Sequence, residues 1–196
     1  LVDNNGERQI VNYRNSLPEG AVKSILDFPI YDAYLSDSRW NEAAIATLSL
    51  AKKFKKPGIL DAEAPVSEQA VDLASHVAFS KQGLSHFTNK DDVTASLKVI
   101  ENDFYSWACV TDGSNGVYFL EEGTLCNLPA PEIKAKDTLG AGDVWHGAFA
   151  VCLAEGKSEI EAIKFSNLAA AIKCTKFGGQ SSIPTRTEIN EFINSK

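Results

Sequence analysis

With 196 residues, 44% hydrophobic and 23% charged content, the chain has the makeup of one globular domain with a sizeable core. Its net charge of -7 and pI near 5.0 exclude the basic face that a nucleic-acid partner requires, while leaving phosphate binding through backbone amides open. No apolar run approaches the ~20 residues of a membrane span, so no membrane partner is expected.

The chain opens with Leu1, contains no Met and shows no secretory signal over Leu1–Gly6. An Asn-Gly turn between short strand-like stretches over Val2–Val11 reads as a β-hairpin, so a preceding segment is expected. A strand is predicted over Tyr31–Ser36 and a helix over Asn41–Phe54. Strand Gly58–Leu60 ends in the acidic group Asp61-Ala62-Glu63, followed by a helix over Ser67–Ala74 and a strand over Val77–Phe79. Helices follow at Gln82–Phe87 and Asp91–Asn102, then a buried-type strand at Trp107–Thr111. Gly116–Leu120 and Thr124–Leu128 read as an antiparallel pair, and helices complete the chain at Ala141–Ala154, Ser158–Cys174 and Thr187–Asn194. This alternation predicts an α/β fold, a mainly parallel sheet flanked by helices, with ligands outside the strands' carboxyl ends. Cys109, Cys126, Cys152 and Cys174 are widely spaced with no C-x-x-C pair. Neither a zinc site nor a disulfide framework is expected, and a cytoplasmic setting follows.

The stretch richest in chemistry is Asp137-Thr138-Leu139-Gly140-Ala141-Gly142-Asp143-Val144-Trp145-His146-Gly147-Ala148. Three small residues before an apolar helix let the backbone approach a ligand closely, and their N–H groups lie where the helix dipole favours an anion. Asp143 in the first helical turn fits two roles: stabilising the helix through its dipole, or accepting a proton from a hydroxyl that attacks a phosphoryl group.

That stretch resembles the second signature of the PfkB carbohydrate kinases, D-T-x-G-A-G-D followed by a small-residue helix, with Leu139 where many members carry Thr. The resemblance implies a ribokinase-like fold, with residues 1–16 as part of a small β lid and 17–196 as the nucleotide-binding, catalytic portion. It implies Asp143 as catalytic base and substrate contact, with the amides of Gly140, Ala141 and Gly142 as an anion hole. Thr111-Asp112-Gly113-Ser114-Asn115-Gly116 is similar to the family's T-x-G-x-x-G segment, which points to ATP contacts at Thr111, Gly113 and Gly116. Ala169–Gly179 resembles the helix and loop beside adenine, adding Ala171 and Gly178, although small residues there also suit tight helix packing. Asp137 matches a position near a K⁺ site in several members. The family's N-x-x-E, which helps organise Mg²⁺, is replaced by Ser80-Lys81-Gln82-Gly83. Mg²⁺ would then depend on nucleotide oxygens and water, with Asp61 or Glu63 as ligands; a solvated acidic loop fits that pair equally.

Arg8–Tyr13 resembles the sugar lid, which in some members also pairs subunits into a homodimer. Together with Asp37-x-Arg39-Trp40 and Lys173-Cys174-Thr175, it is most similar to the members that phosphorylate 6-deoxy-6-sulfofructose. There Asn12 and Arg39 would hold the sulfonate, a role a guanidinium suits; a surface ion pair for Arg39 is the plain alternative. The expected activity is therefore an ATP-dependent sugar kinase acting on an anionic ketose. A neutral-sugar or nucleoside kinase and a non-catalytic nucleotide or sugar-phosphate sensor are the alternatives. His146, three residues after Asp143, is expected to be packed or on the surface, and His76 and His86 have no partner at useful sequence spacing.

Overall fold

A computed structural model of the chain describes residues 20–194. The lid residues 1–16, including Asn12, lie outside the described residues.

Four strands run parallel: β1 (Tyr34–Asp37), β2 (Gly58–Ala62), β3 (His76–Ser80) and β4 (Trp107–Thr111). β5 (Val117–Glu121) and β6 (Thr124–Leu128) extend the sheet as an antiparallel hairpin, giving the order β1-β2-β3-β4-β5-β6. Strands added in sequence order through right-handed crossovers place their connecting helices on one face. That face carries α2 (Asn41–Phe54), α3 (Glu68–Leu73), α4 (Lys81–Thr88) and α5 (Val93–Asp103). The opposite face is left for α6 (Ala141–Ala154) and α7 (Glu159–Cys174).

Both faces are buried, and side chains alternate between them as strand geometry requires. Leu60, Val77, Phe79, Ala108 and Val110 pack beneath α2–α5, whereas Ile59, Ala78 and Cys109 face α6 and α7. On that second face Trp145 stacks on Phe149 at 5.0 Å and Phe149 on Trp107 at 5.7 Å, pinning α6 to the sheet. α7 starts with a capping box, Ser158 and Glu161 each satisfying the other's backbone.

β1 begins later than the sequence predicts because its parallel register is set by β2: Tyr34 pairs with Gly58 and its amide donates to Pro57 O. A short α1 (Ala21–Leu26) has no fully buried residue and rests on the body through Ile25, beside Tyr34, Leu50 and Ala51, too little apolar pattern for the sequence to reveal. The last helix, α8, runs over Arg186–Asn194.

α4 is seated tightly on the end of β2. Ser80 caps it, its hydroxyl accepting from Gly83 N at 3.0 Å, and a Cβ at Gly83 would lie 2.1 Å from the Ala62 carbonyl oxygen. Backbone cannot yield as a flexible side chain can, so position 83 tolerates no side chain. Gly83→Ala is expected to destabilise the fold by about 1–3 kcal/mol, read as a lower urea midpoint at unchanged slope; an unshifted midpoint counts against this packing.

Candidate active site

The parallel strands end on the side where α6 begins, and there a cleft of about 600 Å³ opens. Thr111, Gly113 and Gly116 line it from the end of β4, Ala141, Gly142 and Trp145 from α6, and Asn167, Ala170, Ala171 and Cys174 from α7. The segment between β6 and α6 closes it with Ala130, Pro131, Ile133 and Ala135. The structure thus brings together six positions predicted at separate points of the sequence.

Local geometry explains several of them. Thr111 Oγ1 donates to Phe79 O at 3.3 Å, fixing the end of β4 against β3. The following loop closes with Asp112 N donating to Gly116 O at 2.8 Å. Gly116 has φ +87°, and a Cβ there would meet Leu128 O at 2.1 Å. Glycine is thus required by the loop's own packing, whatever it also contributes to the cleft. Trp145 Nε1 donates to Asn167 Oδ1 at 2.8 Å, while Asn167 Nδ2 donates to Leu128 O and Pro129 O. This amide ties α7 to α6 and to the segment after β6, and the sequence gives no hint of it.

At the α6 N-terminus, Ala141 N donates to Thr138 O at 3.2 Å and Val144 N to Gly140 O at 3.0 Å. Ala141's amide is engaged in that turn, whereas helix geometry leaves the amides of Gly142 and Asp143 without intrahelical acceptors. Asp143 itself is exposed, on the turn after Gly142. With Gly140 it borders a second, mainly apolar hollow of about 550 Å³, between α6, α7 and α8. The carboxylate thus borders the second hollow, while its chain neighbour Gly142 lines the first cleft.

Behind Asp143, His146 is packed as expected, and it has a partner that its sequence position does not announce. His146 is buried, and its Nδ1 is 2.8 Å from Gly142 O. A carbonyl only accepts, so Nδ1 carries the proton. Nε2 faces Asp61 Oδ1 at 3.5 Å and makes no hydrogen bond. Burial pushes the Asp61 carboxyl above its ordinary value, His146 opposes this, and the charges of Glu63, Asp143 and Asp37 add to it. The spacing of His146 to Asp143 was the available signal; Asp61, far off in sequence, was not readable as its partner. His76 is also partnered, contrary to expectation: Nδ1 lies 2.8 Å from Ser75 Oγ and Nε2 3.4 Å from Glu159 Oε1. Burial lowers its pKa.

The metal candidates separate. Glu63 Oε2 accepts from Arg39 Nη2 at 2.9 Å, while Asp61 faces His146. Among the described residues no group of three or more His, Cys, Asp or Glu is placed to hold a metal ion. Gly83, at the Glu position of N-x-x-E, has no room for a side chain. A protein-held Mg²⁺ does not fit these residues. Arg39 is half-exposed and engaged by Glu63, the ion pair that was its plain alternative, with its own amide donating to Asp37 Oδ1. Gly178 is not on the cleft wall; its amide donates to Asp137 Oδ2 at 3.2 Å.

The fold is ribokinase-like. It superimposes on a crystal structure from Agrobacterium tumefaciens, provisionally described as a ribokinase, with TM-score 0.85 and 35% identity, covering 99% of this chain and 66% of that one. The Thermotoga maritima ribokinase gives TM-score 0.77 at 27% identity, covering 98% and 67%. Residues 1–186 match the pfkB family of carbohydrate kinases, and the chain belongs to that family. Ribokinase of Bacillus subtilis is 29% identical over 130 residues, 66% of this chain. The match spans 43% of that relative's length.

The charge arrangement around Asp61 sets a pH dependence. A carboxyl whose pKa is raised on folding supports the fold while protonated, and that support is lost as pH rises from about 4 through the raised value. Asp61→Asn is therefore expected to gain stability relative to the native protein as pH goes from 4 to 7. Thermal melts across that range check it, and a difference that is flat or shrinks with pH contradicts the assignment.

Proposed function

We propose that the protein transfers the γ-phosphoryl group of ATP to a sugar hydroxyl. One observation carries this: residues from β4, α6 and α7 line a single cleft of about 600 Å³, beside an exposed carboxylate on the first turn of α6. That volume suits a nucleotide-sized ligand. Thr111 and Gly113 would meet the phosphates, Ala171 and the segment around Ile133 the base.

In the proposed step, Asp143 accepts the proton of the attacking hydroxyl as its oxygen bonds to the γ-phosphorus. The bond from that phosphorus to the bridging oxygen breaks, and ADP leaves. The α6 N-terminal amides would meet the charge that develops on the phosphoryl oxygens, which is the stabilisation this chemistry needs. The His146–Asp61 pair backs the turn that carries Asp143 and positions it.

For the acceptor, we favour an anionic ketose such as 6-deoxy-6-sulfofructose, with its charged group on Arg39 and Asn12. Support comes from the sequence resemblance and from Arg39's half-exposed place just past the end of β1. An incoming anion would take over the guanidinium that Glu63 now holds. We also favour a reducing cytoplasm, given four free cysteines among the described residues, three of them buried. A homodimer through the lid strand belongs to the same proposal.

Asp143→Asn is expected to lower kcat by ~10²–10⁴-fold while nucleotide binding, followed by Trp145 fluorescence at the cleft wall, persists. Unchanged turnover removes Asp143 from the role, and absence of ADP release over a panel of sugars favours a nucleotide sensor instead. For the acceptor, sulfofructose, fructose 6-phosphate, fructose and ribose are compared in native protein and Arg39→Ala. Loss confined to charged acceptors supports the anionic reading; equal loss for fructose and ribose sinks it.

A further inference from the structure

The loop before α6 is held from within by a buried ammonium. Lys173, in the last turn of α7, has a side chain only 1% exposed. Its Nζ donates to Asp137 O at 3.0 Å and stands 3.8 Å from Asp137 Oδ2. The same carboxylate accepts from Leu139 N at 2.9 Å and Gly178 N at 3.2 Å. Cys174 O accepts from the amides of Lys136 and Asp137. One positive charge thus sits where the 137–139 loop, the end of α7 and the Gly178 turn meet.

An alkali cation in this place would need the oxygens that Lys173 already engages, and would lie within a few ångströms of its charge. Two like charges cannot share such a buried spot, and an ammonium is kept there only because it is paired. K⁺ therefore does not fit at Asp137. We propose that Lys173 is a built-in substitute for a monovalent cation, a positioning residue that ties the loop ahead of Gly142 and Asp143 to α7, so that the protein neither binds nor requires K⁺. Lys173 lies on the small-residue stretch Ala169–Cys174, where a long charged side chain is out of keeping unless its head has a fixed partner.

The test compares melting temperatures of the purified protein in KCl and in tetramethylammonium chloride at equal ionic strength. Native protein is expected to melt at the same temperature in both. Lys173→Ala is expected to melt roughly 6–20 °C lower in tetramethylammonium chloride and to recover with KCl, which can enter the vacated space. Lys173→Met, filling that space without charge, is expected to lose stability without K⁺ recovery. A specific rise in native melting temperature with K⁺ overturns the proposal, as does Lys173→Met melting like the native protein. Should Lys173→Ala not fold, the native and Lys173→Met measurements decide the matter. A second arm rests on the kinase reading: native turnover should be equal in the two salts. K⁺ activation of native turnover counts against the substitution, whereas an absence of any turnover touches only the kinase assignment, since the melts read the clamp alone.

Discussion

The site depends on one packing interaction, the stack of Trp145, Phe149 and Trp107 that fastens α6 to the sheet. Helix propensity alone would not fix where α6 begins, and its signature glycines weaken its first turn. Aromatic pairs add about 0.5–1.5 kcal/mol beyond their burial, and Trp145 lies only two residues past Asp143. Its indole N–H is satisfied by Asn167, so the ring is fixed in orientation as well as depth. The small residues ahead of it are thereby held beside the end of β4, whatever their own preferences.

Charge is distributed unevenly around that start. Asp37, Asp61, Glu63 and Asp143 gather near the ends of β1, β2 and α6, opposed by Arg39 and by the imidazole of His146. An ionised carboxylate at Asp61 is disfavoured by burial and by its neighbours, so the fold carries a local penalty there at neutral pH. Penalties of this kind concentrate where chemistry needs an unusual environment. Asp61 reaches Asp143 through His146, which is bonded to the Gly142 carbonyl.

Much of this was legible in the sequence. The parallel strands at Val77–Phe79 and Trp107–Thr111 announced themselves as short apolar runs, because burial on both faces leaves no polar alternation to confuse them. The α6 signature was readable because small residues, an acid and an apolar helix follow one another locally. The positions of Thr111, Gly113 and Ala171 on the cleft were reached through the resemblance of their segments to the family's, not from their own local pattern. What stayed hidden was pairing across distance: His146 with Asp61, Asn167 with Trp145, and Lys173 with Asp137. The start of β1 was missed for the same reason, since its register is dictated by β2. Gly83 read as a lost ligand position, whereas the structure gives it a steric cause in the Ala62 carbonyl.

The Asn167 and Lys173 contacts have a joint consequence. They stand six residues apart on one helix, about 9 Å along its axis. Between them they grip both ends of the irregular stretch from Leu128 to Asp137. That stretch is suspended like a span between two piers, and its middle, from Ala130 to Ala135, faces the cleft. Substitutions in the middle can reshape what the span touches while the piers keep the gap constant.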